Sequence, residues 1–138
     1  RYVDNISGGI SIEDTVELAK ELKLRGVDII DCSSGGMSGP STLSSEKIKP
    51  GFQVPYSEKI KKDSGINTMA VGLIMEAEQA EKIIKNNQAD LIALAREMIS
   101  DSNWAYHAAK MLGHENPYAI LPNSYGFYLK IRDENLTP

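Results

Sequence analysis

At 138 residues, with 41% hydrophobic and 25% charged residues, the sequence has the length and composition of an ordinary globular domain. Its formal net charge of -4, with fifteen Lys and Arg dispersed among nineteen Asp and Glu, argues against nucleic-acid binding, which requires clustered basic residues. The single cysteine, Cys32, excludes an intrachain disulfide and a cysteine-based metal cage and favours a reducing, cytoplasmic setting, and no apolar run reaches the roughly 18 residues of a membrane span.

The hydrophobic pattern predicts helices and strands in alternation. Ser11 before an acidic first turn signals a helix start, and Gly26 after a basic residue signals a helix end, so residues 12–25 are predicted to be helical. The branched apolar run at residues 27–32 predicts a strand that opens into a glycine-rich stretch. By the same signals, further helices are predicted at residues 55–62, 76–86 and 104–112, further strands at 68–71 and 91–94, and a long loop at 37–54.

This alternation of apolar strands with amphipathic helices indicates an α/β fold with a parallel sheet. Two architectures share the pattern, a doubly wound sheet and a (β/α)8 barrel. Three strands cannot close a barrel, which takes about 250 residues. The chain is therefore expected to be incomplete, with the missing strands upstream in the same gene and residues 115–138 forming a C-terminal tail.

The candidate functional residues follow the predicted strands, because ligands of parallel α/β folds bind at the carboxyl ends of the strands. Gly72 lets a ligand approach the backbone closely, and Arg96 supplies a cation near free N–H groups at a helix start. This spacing predicts a site for a phosphate-bearing cofactor. It leaves open that Gly72 is a plain turn glycine and that Ser33 only forms a turn. Arg96 is alternatively an exposed charge paired with Glu97 or Asp101.

The other reactive residue types are assigned to structure. Cys32 ends an apolar strand and is predicted to be a buried small hydrophobe with an unreactive thiol. His107 lies in a predicted helix and His114 in the loop after it, and neither has a partner at metal-ligand spacing. No metal site is therefore predicted, and Trp104 is assigned to the core or to helix packing.

Four ordered motifs carry a more specific signal. They are residues 26–36 (GVDIIDCSSGG), 50–55 (PGFQVP), 69–74 (MAVGLI) and 89–98 (ADLIALAREM). In order and spacing they resemble the last three βα units of the old yellow enzyme family of flavoproteins, and the match runs over nearly the whole chain. Residues 103–110 (NWAYHAAK) and 121–128 (LPNSYGFY) resemble the final helix and tail of the bacterial branch that includes NADPH dehydrogenases and xenobiotic reductases.

The resemblance implies the C-terminal three βα units, strands 6 to 8, of a TIM (β/α)8 barrel that binds FMN. It implies that NADPH or NADH reduces the FMN, which passes hydride to the β-carbon of an activated alkene such as an enone. Carried over residue by residue, Ser33 lies near the flavin. The flavin phosphate is implied to be held at Val71, Gly72, Ala95 and Arg96. A common family form has glycine where this sequence has Ala95, and alanine serves equally if its φ is negative, which we expect.

The resemblance also assigns residues 1–138 to one domain, with 115–138 as its tail. In this branch a tail residue of one subunit reaches the active site of its neighbour. Tyr128 and Tyr125 are therefore candidates for a substrate pocket shared within a homo-oligomer. Alternatively, a tail tyrosine packs against the bottom of the barrel.

The catalytic residues of the family lie outside this sequence by the same comparison. The substrate-binding histidine pair, the proton-donating tyrosine, the flavin-tuning residue and the strand-five arginine belong to the first five βα units. Arg1 is expected to fall shortly after that arginine. No catalytic residue is therefore assigned, and the segment alone is expected to be inactive.

Three alternatives remain open at this point. A relative of the dienoyl-CoA reductase or trimethylamine dehydrogenase type carries an iron–sulfur cluster, against which the single cysteine counts. A flavin-free phosphate-binding barrel needs a lysine or an acid at a strand end, where Asp31 is the one strand-terminal acid. A non-catalytic truncated half-barrel would bind a phosphate compound or a partner protein through its strand edges.

Overall fold

The computed structural model describes residues 9–34 and 48–136, so most of the predicted loop at 37–54 lies outside the described residues. Helices and strands alternate through the first part of the chain. The elements are α1 (Ile12–Leu24), β1 (Ile29–Cys32), α2 (Val54–Ser64), β2 (Asn67–Ala70), α3 (Ala77–Lys85), β3 (Leu91–Ile92), α4 (Arg96–Ser100), α5 (Trp104–Met111), a 3₁₀ turn (Pro117–Ile120) and α6 (Asn123–Leu136).

The four helices and three strands predicted from the hydrophobic pattern are confirmed, with shifts of a few residues at their ends. The pattern does not predict the 3₁₀ turn or α6, and of α4 it predicts only a helix start after Leu94. The apolar residues of α6 do not gather on one side of the helix, so it lacks the stripe by which amphipathic helices are recognised.

The chain divides into two compact units. The first contains the described residues up to Met75 together with Gln79–Leu94, and it holds the sheet with α1, α2 and most of α3. The second contains Glu76–Glu78 and the residues from Ala95 onward, and it holds α4, α5, the 3₁₀ turn and α6.

The strands form a parallel sheet in the order β1-β2-β3. In register, Cys32 lies beside Ala70, and Ala70 lies beside Ile92. Parallel neighbours need crossover connections, and helices supply them here. The predicted parallel α/β arrangement is confirmed, and all three strands end at the same edge of the sheet.

α1 begins and ends where its sequence signals indicate. The Ser11 hydroxyl accepts a hydrogen bond from the Asp14 N–H at 3.1 Å, and the Asp14 carboxylate accepts one from the Ser11 N–H at 2.9 Å. This reciprocal pair is a capping box, which satisfies two N–H groups that a helix start otherwise leaves free. Gly26 follows the helix at φ +87°, a conformation that suits glycine.

One face of the sheet is buried under α1 and α2. The core there consists of Val16, Ala19, Cys32, Ile60 and Ile66, each at most 5% exposed. On the other face, Asp31 is exposed and Leu91 is 52% exposed. Parallel sheets are normally buried on both faces. The face that carries Asp31 and Leu91 is thus the less covered of the two.

Cys32 belongs to this core and has the character predicted for it. Its side chain is buried, and burial, assisted by the neighbouring Asp31 carboxylate, raises the pKa of the thiol to about 12. The thiol is therefore protonated at neutral pH, and the thiolate is the reactive form. The predicted burial of Cys32 is confirmed, and the raised pKa of its thiol agrees with the low reactivity predicted for it.

Asp90 ties the start of β3 to β2 and α2. Its N–H donates to the Thr68 carbonyl at 2.8 Å, and its carboxylate accepts from the Thr68 N–H at 2.9 Å and from Lys61 Nζ at 2.8 Å. Burial raises the pKa of Asp90, but the hydrogen bonds from Lys61 and from the Thr68 N–H outweigh it. The pKa of Asp90 therefore lies below its ordinary value.

Replacing Asp90 by asparagine is expected to lower the free energy of unfolding at pH 7 by about 1–3 kcal/mol, because Lys61 loses its partner. Folding lowers the pKa of Asp90, so its stabilising contribution is present above the unfolded-state pKa of about 3.9 and is lost as pH falls through the folded pKa. The difference between wild type and variant in urea denaturation should therefore shrink as the pH is lowered toward about 3.

The matched control for this measurement is Asp63→Asn. Asp63 pairs with Lys59 at 2.9 Å on the surface of α2, and such exposed pairs are worth under about 1 kcal/mol. Equal losses in the two variants at pH 7 would contradict the stabilising role assigned to Asp90.

Candidate functional site

The carboxyl edge of the sheet carries three of the predicted site residues. Ser33 directly follows β1, and Val71 and Gly72 directly follow β2. The register of Cys32 beside Ala70 brings these positions to the same edge. The sheet ladder extends a little further on the β3 side, where the Ala93 N–H donates to the Ala70 carbonyl at 2.8 Å.

In the loop after β2, two carbonyl groups accept hydrogen bonds, whereas three successive N–H groups donate none within the described residues. The Gly51 N–H donates to the carbonyls of Gly72 at 3.0 Å and Leu73 at 3.2 Å. The N–H groups of Gly72, Leu73 and Ile74 donate to no other residue in the described part of the chain. The next N–H, of Met75, donates to Gln79 Oε1 at 3.2 Å. Successive free N–H groups in a tight turn form a concave site for an anion such as phosphate.

The backbone of this loop adopts conformations that side chains rarely tolerate. Gly72 has φ +116° and Leu73 has φ +49°. Left-handed conformations at non-glycine residues cost about 1–3 kcal/mol and cluster at functional sites. The positive φ at Leu73 therefore agrees with a binding role for this loop, and the backbone of Gly72 explains why that position is glycine.

The space around Gly72 gives a second reason for glycine. A Cβ atom there would lie 2.7 Å from Gln53 Nε2 and 2.9 Å from Phe52 Cε1. The turn before α2, formed by Gly51, Phe52 and Gln53, thus lies directly against the loop after β2. The alternative that Gly72 is a plain turn glycine does not account for this close packing.

Gln53 is the site residue that the sequence reasoning missed. It is 6% exposed, and its Oε1 accepts a hydrogen bond from the Ser34 N–H. Although Gln53 is the N-cap residue of α2, its side chain makes no capping hydrogen bond to that helix. The signal available in the sequence is its place in the motif at residues 50–55, where a polar residue stands two positions before the proline in the first turn of a helix.

Ser33 directly follows β1, and its side chain is half-buried. The adjacent Ser34 contributes its N–H group to Gln53. The glycine-rich residues that follow, 35–47, lie outside the described residues. The role of Ser33 near a flavin therefore stays a prediction.

Ala95 and Arg96 belong to the second unit, at the start of α4. Ala95 has φ -103°, so alanine is accommodated at this position without strain, as expected. Arg96 is exposed and makes no ion pair within the described ranges. Asp101, one of its alternative partners, lies 2.6 Å from His107 Nδ1 instead. The phosphate-binding role of Ala95 and Arg96 stays a prediction.

Tyr125 and Tyr128 lie on α6 and are 65% and 70% exposed. Gly126 of the same helix is buried. A substrate pocket shared between subunits and packing against the bottom of the barrel both stay predictions for these side chains.

A polar cluster stabilises the second unit around Asp133. Its Oδ2 accepts hydrogen bonds from the hydroxyls of Tyr118 at 3.0 Å and Tyr106 at 3.4 Å and from Lys110 Nζ. The hydrogen bond from Lys110, followed by that from Tyr118, lowers the pKa of Asp133. The cluster ties α6 to α5 and to the 3₁₀ turn. The tail at residues 115–138 thus contains regular helical structure.

Residues 9–34 and 48–136 contain no group of three or more His, Cys, Asp and Glu side chains arranged to hold a metal ion. His107 is paired with Asp101, and His114 Nδ1 accepts a hydrogen bond from the Asn116 N–H at 3.1 Å, so both have local structural partners. Among the described helices, none has the length and apolarity that crossing a membrane demands.

Comparison with known proteins identifies relatives of this chain. The sequence model of the NADH:flavin oxidoreductase / NADH oxidase family matches residues 3–115. An NADPH dehydrogenase of a Geobacillus species is 46% identical over 105 residues, covering 76% of this chain and 30% of the relative. Its counterpart in Bacillus velezensis is 44% identical over 117 residues, covering 85% and 33%. That of Listeria monocytogenes is 42% identical over 110 residues, covering 80% and 31%. The chain thus spans about a third of the length of these relatives.

Proposed function

This chain belongs to the NADH:flavin oxidoreductase / NADH oxidase family, and from that premise we propose that it supplies the flavin-phosphate site of an FMN-dependent NAD(P)H oxidoreductase. The observation that carries the proposal is the loop after β2. Its N–H groups at residues 72–74 have no acceptor within the described residues, while its carbonyls are held by Gly51. A phosphate group requires such donors.

The fold proposed for the whole protein is a TIM barrel to which this chain contributes strands six to eight, with residues 1–138 in one domain and 115–138 as its tail. The parallel order β1-β2-β3 supports it. So does the partial exposure of the sheet face that carries Asp31 and Leu91, since a barrel buries its inner face against its remaining strands. Active sites of such barrels lie at the carboxyl ends of the strands, where Ser33, Val71 and Gly72 are found.

The described residues fit an FMN phosphate. Gly72 offers backbone without a side chain, and Arg96 offers an exposed guanidinium without an ion pair in the described part of the chain. We propose that Val71, Gly72, Ala95 and Arg96 hold the phosphate and that Ser33 lies near the flavin. When bound, FMN supplies the ring that accepts hydride from NADPH or NADH and delivers it to a substrate. The chain's own contribution is to bind and orient that group.

The reaction proposed for the whole protein is reduction of the C=C bond of an activated alkene such as an enone. The names of the relatives support NADPH as the reductant. No residue of this chain is assigned to polarise the substrate carbonyl or to donate a proton to it, and both roles are proposed to come from the remainder of the enzyme. The chain alone is therefore proposed to be inactive.

Two tyrosines and the cysteine support proposals for the partners and the location of the protein. Exposed Tyr125 and Tyr128 support a homo-oligomer in which the tail of one subunit enters the substrate pocket of its neighbour. The free, buried Cys32 supports a reducing, cytoplasmic location.

The full-length gene product tests this proposal. Its absorbance near ~450 nm should bleach when NADPH or NADH is added anaerobically and should return when an enone is added, as the bound flavin is reduced and reoxidised. A colourless protein that binds inorganic phosphate would favour the non-catalytic alternative instead. Flavin that neither nicotinamide bleaches would overturn the assignment as an NAD(P)H oxidoreductase.

Replacing Arg96 by alanine in the full-length protein is expected to weaken FMN binding about tenfold or more, the scale of one charge-assisted hydrogen bond. Riboflavin, which lacks the phosphate, should bind wild type and variant equally. The measurement is a fluorescence titration of the flavin-free protein with each ligand. Arg25→Ala is the matched control, since Arg25 is an exposed arginine at the end of α1. Unchanged FMN affinity in Arg96→Ala would remove Arg96 from the site.

A further inference from the structure

We propose that Gln53 is a positioning residue of the flavin-phosphate site, an inference that rests on the proposed function and deepens it. Gln53 is assigned to hold the loop after β2 in the conformation that presents its N–H groups to the phosphate. It acts on the loop through contact with Gly72 and is not itself assigned a contact with the flavin.

The carboxamide of Gln53 is fixed by a hydrogen bond from the backbone. Its Oε1 accepts a hydrogen bond from the Ser34 N–H, two residues beyond the end of β1. With 6% of its surface exposed, the carboxamide is shielded from water, so this hydrogen bond has little competition. A buried amide in such a place needs a partner of this kind to offset its desolvation.

The anchored side chain lies against Gly72. A Cβ at Gly72 would approach Gln53 Nε2 to 2.7 Å and Gln53 Cγ to 3.2 Å, which places the Gln53 side chain in the space that an ordinary residue would fill. The Gly51 N–H, two residues earlier in the same turn, holds the Gly72 carbonyl at 3.0 Å. The turn before α2 therefore restrains Gly72 on two sides.

The two positions that Gln53 contacts lie just beyond the last registered pair of β1 and β2. The last registered pair of β1 and β2 is Cys32 with Ala70, so Ser34 and Gly72 both lie two residues beyond it. Gln53 contacts both positions. Because the anion site consists of backbone groups, its geometry depends on how rigidly neighbouring groups hold that backbone.

Gln53→Met in the full-length protein tests the inference. Methionine has nearly the same length, but its thioether sulfur is only a weak acceptor for the Ser34 N–H. We expect the dissociation constant for FMN to rise about tenfold, the equivalent of one buried hydrogen bond, and that for riboflavin to change less than about twofold. The measurement is a fluorescence titration of the flavin-free protein with each flavin. A role in general stability alone would weaken both ligands together.

Gln88→Met is the matched control, because Gln88 Nε2 donates to Glu58 at an exposed position. It should leave both affinities unchanged. If Gln53→Met weakens FMN and riboflavin equally, or neither, while wild type still prefers FMN, the positioning role is wrong and the phosphate site stands. If wild type itself binds the two flavins equally, the phosphate site of the proposed function is wrong, and the role of Gln53 falls with it.

A second variant covers the case in which Gln53→Met does not fold. Gln53→Glu keeps an acceptor for the Ser34 N–H and adds a negative charge beside Gly72. Repulsion of the phosphate should then weaken FMN by at least about tenfold at pH 8 while riboflavin binding is retained. Equal affinity of this variant and wild type for FMN would overturn the proposal.

Discussion

Gly72→Ala is expected to lower the free energy of unfolding by about 2–4 kcal/mol and to abolish retention of FMN by the full-length protein. Gly72 has φ +116°, which an alanine adopts only with strain. Its new Cβ would also overlap Gln53 Nε2 and Phe52 Cε1, at 2.7 Å and 2.9 Å. Relief of the backbone strain moves the loop after β2, and with it the N–H groups at residues 72–74 that are proposed to bind the phosphate. The overlap displaces the side chains of Gln53 and Phe52, which pack against that loop.

Gly26→Ala separates backbone strain from steric overlap as causes of the effect. Gly26 also has a positive φ, +87°, but no atom lies within 4 Å of a Cβ built there. Its alanine variant should cost about 1 kcal/mol and leave FMN retention unchanged. Urea denaturation gives the stabilities, and flavin absorbance after gel filtration gives the retention. Full retention of FMN by Gly72→Ala would contradict the assignment of this loop to the site.

Gly126→Ala is expected to destabilise the second unit by about 3 kcal/mol. A Cβ at Gly126 would lie 2.5 Å from the carbonyl oxygen of Tyr118 in the 3₁₀ turn, and this obstacle is backbone, which cannot rotate away. Intrinsic helix propensity favours alanine over glycine by about 1 kcal/mol, so propensity alone predicts the opposite sign. The close approach of α6 to the 3₁₀ turn decides the outcome.

Ser124→Ala is the control for this variant. Ser124 is exposed in the same turn of α6, and its replacement should leave stability within about 0.5 kcal/mol of wild type. Hydrogen exchange of the amides of α5 and α6 would locate the effect, and protection should fall in Gly126→Ala alone. A more stable Gly126→Ala would show that helix propensity outweighs the contact, contrary to the packing described.

The regular elements of the first unit are largely predictable from sequence. α1 has a capping residue, an apolar stripe and a terminal glycine, and its bounds are predicted to within one residue. α6 is the counterexample. Its apolar residues do not form a stripe, and what holds it is a set of contacts with distant residues, including the Tyr118 and Lys110 hydrogen bonds to Asp133. Contacts between residues distant in sequence produce no local pattern from which a helix could be predicted.

The residues of the candidate site also differ in whether the sequence identifies them. Ser33 and Gly72 are identifiable as candidates because they come just after β1 and β2, whose carboxyl ends share one edge of the sheet, and Arg96 because it begins the helix that follows β3. Gln53 is not, because it lies 19 residues from Ser34 along the chain, and only the folded backbone brings them together.

The sequence by itself determined the alternation of strands and helices, the family to which the ordered motifs point, and the burial of Cys32, because these depend on local periodicity and residue type. The tertiary structure alone decided which N–H groups after β2 donate to no other described residue. That depends on hydrogen bonds and close packing from the turn at Gly51–Gln53, and such contacts between segments distant in sequence are set by the path of the folded chain.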